Sequence, residues 1–472
     1  MKYSLFLAGN WQEPKHSKPL YSPYSGEWIA DVPDADEEET AAAVDAACQA
    51  EKTAASIPAH ERADILLKVA NLIEENRETC ARLIALEAAK PIKTARKEVA
   101  RTIMTYRFSS EEARRMPTEF INMDAAPGGE DKTGFVLREP VGTVGAITPF
   151  NFPMNLVAHK VGPAIASGNC VVLKPAEQTP LSAFFIAELF SKAGAPEGIL
   201  NVITGDGKIV GRKMVEDERV NMITFTGSKQ TGLDIRSRAG LKNVTLELGS
   251  NAAAVIGEDA DIEQAAEKLT AGAFAYQGQL CISVQRIFVH KSKSRELQRA
   301  MKKNVETYTP GSPLDEAADF SKLISPQETN RVKAWIDQAV KEGAKLITGG
   351  EVEDGILQLT LLRETERSMN VRCEEVFGPV AVIETFETWE EAVSLVNDSK
   401  YGLQTGVFTN RLDEALQAAR SIESGSVLIN EIPSFRLDHI PYGGVKDSGN
   451  GREGVKYAID EMTERKLISI QA

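Results

Sequence analysis

Two short stretches of the chain carry side chains with usable chemistry. In "GQLCISVQR", residues 278–286, a single thiol, Cys281, sits between two glutamines and a β-branched run. A thiolate is a strong nucleophile, but an unperturbed thiol has a pKa of about 8.5 and needs activation at neutral pH. No histidine is near in sequence, which argues against a papain-type Cys–His pair. Taken alone, Cys281 reads most simply as a small buried hydrophobe, the usual fate of a lone cysteine. The second stretch is "VVLKPAEQTP", where Lys174 ends an apolar run and Glu177 follows three residues on. An ammonium donor beside a carboxylate acceptor suits the vicinal diol of a ribose. A carboxylate there disfavours a 2′-phosphate and so favours NAD over NADP. The plain alternative is a solvated Lys–Glu pair at a strand end.

Two glycine-containing joints could bind phosphate. "ITGDGKIVG" places Gly205, Gly207 and Gly211 as GxGxxxG after a strand. That is one residue longer than the dinucleotide fingerprint, and no acid ends the following strand, so by itself it reads as a strand-to-helix turn. "FTGSKQTG" sets Gly227 and Ser228 between a strand and a helix whose first amides could hold a pyrophosphate. An ordinary Ser-capped helix explains the same residues.

The elements that must position these groups follow a clear rhythm. Residues 36–116 are rich in Ala, Glu, Lys and Arg, with apolar residues such as Ile65, Leu66, Val69, Leu72 and Ile73 at helical spacing. Residues 121–134 form a polar interruption, and "FVLREPVGTVGAITPF" after them has strand character broken by Gly142 and Gly145. From there to about residue 256, strands such as "CVVLK", "ILNVIT" and "NMITFT" alternate with helices such as "LSAFFIAELFSK". Residues 261–424 repeat the habit with "RIFVHK", "AKLITGG", "VAVIETF" and "QTGVFTN" as strands. The pattern predicts an α/β fold of two lobes, each with a parallel sheet, and a site at their junction.

Bulk properties narrow the function. The 472 residues suggest two to three domains, and an apolar share of 42% with 26% charged residues is ordinary for a globular protein. A net charge of −14 argues against a nucleic-acid surface. No window is apolar enough to span a membrane, and the short apolar run at the N-terminus lacks a cleavage signal. The five cysteines (48, 80, 170, 281 and 373) are scattered and odd in number, which suits a reducing cytoplasm. With five equally dispersed histidines, no metal site is expected.

Read together, "PFNFP" (149–153), "KPAEQTP" (174–180), "FTGS" (225–228), "LELGS" (246–250), "GQLC" (278–281), "EEVFGPV" (374–380) and "PYGGVKDSGNGREG" (441–454) occur in a fixed order. This series resembles the NAD(P)-dependent aldehyde dehydrogenases over almost the whole chain, beginning at "FLAGNW". Each motif is weak singly; seven in order are highly specific. The resemblance implies a Rossmann-like cofactor lobe, a catalytic lobe and a small β oligomerisation arm. Its expected boundaries are 1–121 and 140–249 for the NAD-binding domain, 250–440 for the catalytic domain and 122–139 with 462–472 for the arm. Residues 441–461 would return to the cofactor lobe.

The same resemblance implies roles. Cys281 would add to an aldehyde carbonyl, giving a thiohemiacetal that loses hydride to NAD (or NADP) and leaves a thioester. Glu247 would be the general base that activates water, its pKa raised by apolar neighbours Leu246 and Leu248. Asn151 would hold the oxyanion together with the Cys281 backbone N–H. Thr148, Pro149, Phe150, Lys174, Glu177, Phe225, Gly227, Ser228 and Leu248 would contact the cofactor, with Glu375 and Phe377 reaching its nicotinamide ribose. A homodimer or homotetramer would form through the arm, with no nucleic-acid or membrane partner.

"CISVQRI" and "FRLDHIPYGG" resemble the branch acting on small polar or anionic aldehydes of the lactaldehyde, sulfolactaldehyde, phosphonoacetaldehyde or glyceraldehyde 3-phosphate type. Arg107, His159 and Arg436 are the expected anion clamp, since guanidinium groups match such anions in shape and charge. Leu280 stands where some phosphate-using relatives carry Arg. Two other readings compete: a CoA-acylating semialdehyde dehydrogenase, and a catalytically silent binding protein on the same fold. Glu247 argues against the first, and retention of Cys281, Glu247 and Asn151 together against the second.

Overall fold

The computed structural model describes residues 2–471. An eight-stranded sheet organises the first part of the chain. Its order is Asn10–Gln12, Leu5–Leu7, Leu200–Val202, Cys170–Lys174, Thr143–Ile147, Met222–Thr226, Asn243–Glu247 and Gly449–Asn450. The five strands from Leu200–Val202 to Asn243–Glu247 are parallel, and the outer strands join antiparallel. Runs such as Val171, Val172 and Leu173 are wholly buried, as a parallel sheet covered on both faces requires. Helices Ile92–Ala113 and Asn155–Ala166 pack against each other beside it.

Strand order reverses between Thr143–Ile147 and Met222–Thr226: the chain moves outward one way through 170–174 and 200–202, then the other way through 222–226 and 243–247. In open α/β sheets the crevice beyond the carboxyl ends at such a reversal binds ligands. "PFNFP" leaves one of those ends and "GS" of 227–228 leaves the other.

The chain then crosses into a seven-stranded sheet of order Lys345–Thr348, Thr360–Arg363, Val380–Phe386, Arg286–His290, Ala253–Ile256, Gln404–Phe408 and Ser426–Ile429, parallel except for its first strand. Glu247 and Ala253 thus end one sheet and begin the other.

A three-stranded antiparallel sheet stands apart, with Thr463–Gln471 paired to Lys132–Pro140 and that strand to Glu119–Ile121. Phe120 pairs with Phe135, so this sheet starts at Glu119 and takes in Pro140, rather than covering 122–139 on that side. The expected boundary missed how readily Phe120 and Ile121 extend against Gly134 and Phe135. Phe120, Leu467 and Ile470 on it are exposed. Among the described residues no helix is long and apolar enough to cross a membrane, and no cluster of metal-ligating side chains occurs.

Candidate active site

Cys281 follows a left-handed turn. Tyr276, Gln277 and Gly278 have φ of 46°, 54° and 70°. Only glycine fits at 278, because a Cβ there would lie 2.1 Å from the carbonyl oxygen of Gly378. Such backbone conformations cost about 1–3 kcal/mol for non-glycine residues, so neighbours must hold them. The Tyr276 hydroxyl donates to the Ala88 carbonyl at 2.7 Å, and Gln277 Nε2 donates to the Lys322 carbonyl at 2.9 Å. This fastened turn presents Cys281 to a 380 Å³ cavity that Asn151, Glu247, Glu375, Arg436 and Tyr442 also line.

Asn151 is fixed from both sides. Its Nδ2 donates to the Gln279 carbonyl at 2.9 Å, two residues before the cysteine. Buried Lys90 donates to the Asn151 carbonyl, while Glu98 accepts from the Met154 and Asn155 amides at 2.9 and 3.2 Å. One amide hydrogen of Asn151 is therefore committed and the second remains for the cavity.

Glu247 ends its strand buried at 4% exposure, with neither carboxylate oxygen hydrogen-bonded. Burial raises its pKa well above the carboxylate range; nearby Glu453 raises it further, and Arg436, Lys160 and Arg452 pull the other way. A Cβ on Gly443 would come 2.9 Å from Glu247 Oε1, so glycine there keeps the carboxyl's space open. Burial pushes the Cys281 thiol up to about 11, against the Tyr442 hydrogen bond and Arg436, which lower it. The Tyr442 hydroxyl lies 2.9 Å from Cys281 Sγ, and the Arg436 guanidinium stacks 3.7 Å from the Tyr442 ring centre.

Behind the cavity runs a buried charge chain. Lys160 Nζ meets Glu453 Oε1 at 3.3 Å, and Glu453 Oε2 accepts from Arg436 at 2.7 Å. His159 Nε2 meets Asp438 at 2.8 Å, and Arg101 donates to Asp438 at 2.6 Å. Burial lowers the His159 pKa, as does the Arg436 charge, which favours the neutral ring with Nε2–H donating. Asp438 overcomes burial through His159 and Arg101 and stays well below the usual carboxylate range. Lys160, Arg436 and Arg101 thus face two carboxylates, Glu453 and Asp438, and burial lowers the Lys160 pKa.

A second cavity, of 640 Å³, lies on the other side of the start of helix Lys229–Arg238 and is lined by Lys174, Glu177, Gly207, Gly211 and Thr231. Ser228 caps that helix through the Thr231 amide at 3.3 Å. Lys174 is 5% exposed, and among the described residues its ammonium makes one hydrogen bond, a long one of 3.5 Å to the Pro175 carbonyl. Burial lowers its pKa, partly countered by Glu177. A Cβ on Gly207 would meet nothing within 4 Å and one on Gly211 only Lys174 Cδ at 3.9 Å, so both leave the floor bare. An under-partnered ammonium, a bare floor and a capped helix start between two cavities fit an NAD(P) dinucleotide, whose hydroxyls Lys174 would hold and whose pyrophosphate the helix amides would hold.

The other residues expected at the cofactor are placed as follows. Pro149, Phe150, Gly227, Ser228, Leu248, Glu375 and Phe377 line the Cys281 cavity. Phe225 packs under Gly227, where a Cβ would meet its ring at 2.5 Å. Thr148 Oγ1 is buried without a partner. Glu375 accepts from the Ser250 amide at 2.9 Å, and burial pushes its pKa up to about 7.

The expected anion clamp needs correction. Arg107 does not reach the cavity; its guanidinium pairs with Glu74 on the helix surface. The Ile92–Ala113 helix instead turns Arg101 to the cavity, six residues earlier and about 240° around at 100° per residue. His159 also lies outside the lining, behind Arg436. Arg436 itself lines the cavity as expected. Arg101, Tyr442 and Asp438 were missed. A signal for Arg101 existed: Glu98, Thr102, Thr105 and Ser109 form a polar stripe at helical spacing, all buried.

A thiol and a carboxyl facing one cavity, beside a crevice at a strand-order reversal, suit a nicotinamide-dependent oxidoreductase. The profile described as "Aldehyde dehydrogenase family" matches residues 11–468, and the chain belongs to that family. It is thus an NAD(P)-dependent oxidoreductase acting on aldehydes. The chain is 44% identical over 467 residues to 3-sulfolactaldehyde dehydrogenase of Priestia aryabhattai, covering 99% of this chain and 98% of that protein. Aldehyde dehydrogenase 21 of Physcomitrella patens, solved with its reaction product succinate, superposes with a TM-score of 0.97 at 37% identity, covering 100% and 98% of the two chains. Glyceraldehyde-3-phosphate dehydrogenase GapN of Methanocaldococcus jannaschii, solved with NADP, gives 0.93 at 38% identity, covering 97% and 100%.

Proposed function

We propose that the chain oxidises a small aldehyde bearing a carboxylate, sulfonate or phosphate to the corresponding acid. The observation that carries the anionic substrate is a pair of guanidinium groups: Arg101 and Arg436 both open on the cavity that holds Cys281. The relatives support it, since one is a sulfolactaldehyde dehydrogenase and another holds succinate as product.

In this reading the Cys281 thiolate adds to the aldehyde carbon. The free amide hydrogen of Asn151 and the Cys281 backbone N–H hold the resulting oxyanion. NAD(P)+, when bound, supplies the hydride acceptor, and a thioester remains on Cys281. Glu247 then takes a proton from water, which attacks the thioester and releases the acid; its raised pKa makes it a base of useful strength. An unpartnered buried carboxyl serves water rather than CoA, so hydrolysis is the favoured outcome. The eight-stranded sheet carries the cofactor and the seven-stranded sheet the nucleophile. Exposed Phe120, Leu467 and Ile470 on the arm support association into a homodimer or homotetramer, and the five unpaired cysteines support a cytoplasmic setting.

The test is an NAD(P)H-absorbance screen, run with and without CoA, of short aldehydes matched in length with and without an acidic group. We expect kcat/KM to favour the acidic member by about tenfold or more, the worth of one charge-assisted hydrogen bond. A preference for the neutral member would refute the anionic substrate; dependence on CoA would refute hydrolysis.

A further inference from the structure

We propose that Lys18 sets how this enzyme chooses between NAD+ and NADP+, by offsetting the charge of Glu177, the carboxylate beside Lys174 at the ribose end of the cavity. The inference rests on the reading of the Lys174–Glu177 cavity as the ribose site and goes beyond it, because Lys18 belongs to none of the motifs that identify that site.

Lys18 lies on Ser17–Tyr21, one strand of a separate two-stranded hairpin with Trp28–Pro33. From there its ammonium reaches Glu177 Oε2 at 2.6 Å and Asp34 Oδ1 at 3.0 Å. The other Glu177 oxygen accepts from the Gly207 amide at 3.2 Å. Both oxygens of Glu177 are therefore engaged by the protein itself. A carboxylate that selects NAD+ does so by accepting from the ribose hydroxyls and repelling a phosphate; here both capacities are reduced.

The rest of the cavity tilts the same way. Arg212 and Arg238 line it but are tied to Glu216 and Asp234. Among the described residues, Lys174 and Lys208 line it without a carboxylate within 4.0 Å. With Glu177 offset, those two ammonium groups face a ligand beside Asp206, the one lining carboxylate that no cation pairs among the described residues, whose Oδ1 accepts from the Lys208 amide at 2.8 Å; the two cations outnumber it, and a 2′-phosphate suits them. Asp34 shares Lys18 and lies outside the lining, so Lys18 offsets part of the Glu177 charge at the cavity rather than all of it.

The experiment is calorimetric titration of the whole enzyme with NAD+ and with NADP+, without aldehyde, for the parent, Lys18→Gln, Lys18→Arg and the double variant Lys18→Gln/Glu177→Gln. We expect the parent to bind both. Lys18→Gln should weaken NADP+ by about fivefold or more while NAD+ moves less than about twofold, as for a partly exposed ion pair acting on a dianion. Lys18→Arg should keep the parent's ratio, and the double variant should regain NADP+ binding. A merely structural lysine would move both cofactors together. Equal shifts for both dinucleotides, or none, would overturn the proposal. Failure of the parent to bind either would overturn the reading of the cavity itself.

Discussion

Replacing Tyr442 by Phe removes one oxygen atom from beside the nucleophile. The Tyr442 hydroxyl is 2.9 Å from Cys281 Sγ, and the residue is 2% exposed. In the thiolate state the phenol must donate, because the sulfur has no proton to give. A hydrogen bond to a charged group contributes about 1.5–3 kcal/mol, and one pKa unit is about 1.4 kcal/mol. Loss of that bond destabilises the charged form alone, so the thiol pKa, already pushed up to about 11 by burial, should rise by about one to two units. At any fixed pH below both values the thiolate fraction then falls by about ten- to a hundredfold. The other charges facing the sulfur, Arg436, Glu375 and Glu247, are unchanged by the substitution. The assay is the rate of iodoacetamide alkylation of Cys281 across the neutral-to-alkaline range in the cofactor-free enzyme, with Cys281→Ser reporting the other four thiols. In both proteins the rate should climb with pH, and the Y442F profile should lie to the alkaline side. Superimposed profiles would mean that the hydroxyl gives the thiolate nothing, and the reasoning would fail.

Two further outcomes follow from the geometry. Glu247→Gln should still form about one equivalent of reduced cofactor per site in a rapid burst, then turn over about 10²–10⁴-fold more slowly, because only thioester hydrolysis needs the base; stopped-flow absorbance reads both phases, and loss of the burst would place Glu247 in the first step instead. Arg101→Met should lower kcat/KM for acidic aldehydes by about ten- to a hundredfold and leave neutral homologues within about threefold. Equal losses on both, with an unchanged melting temperature, would remove Arg101 from substrate recognition.

The lobes and the strands that deliver the site were legible because parallel strands buried on both faces write themselves as short apolar runs. Cys170–Lys174, Met222–Thr226 and Arg286–His290 each end or begin beside a chemical residue. Cys281, Glu247 and Asn151 were legible through motif order alone, since nothing local separates Cys281 from Cys80 or Cys170. Arg107 was expected and Arg101 missed because both arginines are polar in sequence: the stripe of Glu98, Thr102, Thr105 and Ser109 marks one face of the helix, but that this face is buried shows only once the helix is packed. Tyr442 and Asp438 were illegible for a different reason. Their partners, Cys281 and Arg101, lie 161 and 337 positions away, and no periodicity reports a contact at that range.

Two late segments complete early ones. Gly449–Asn450 supplies the edge strand beside Leu246–Glu247, and Thr463–Gln471 zips along Lys132–Pro140. While the chain is being translated, the ribosome must deliver roughly two hundred more residues before the strand bearing Glu247 gains its second neighbour. Until then the nascent first lobe offers an open sheet edge, the feature most prone to pairing with another chain. Chaperone dependence should therefore peak late in synthesis and fall sharply once these two segments emerge, and truncations just before Gly449 should aggregate rather than persist as half-enzymes.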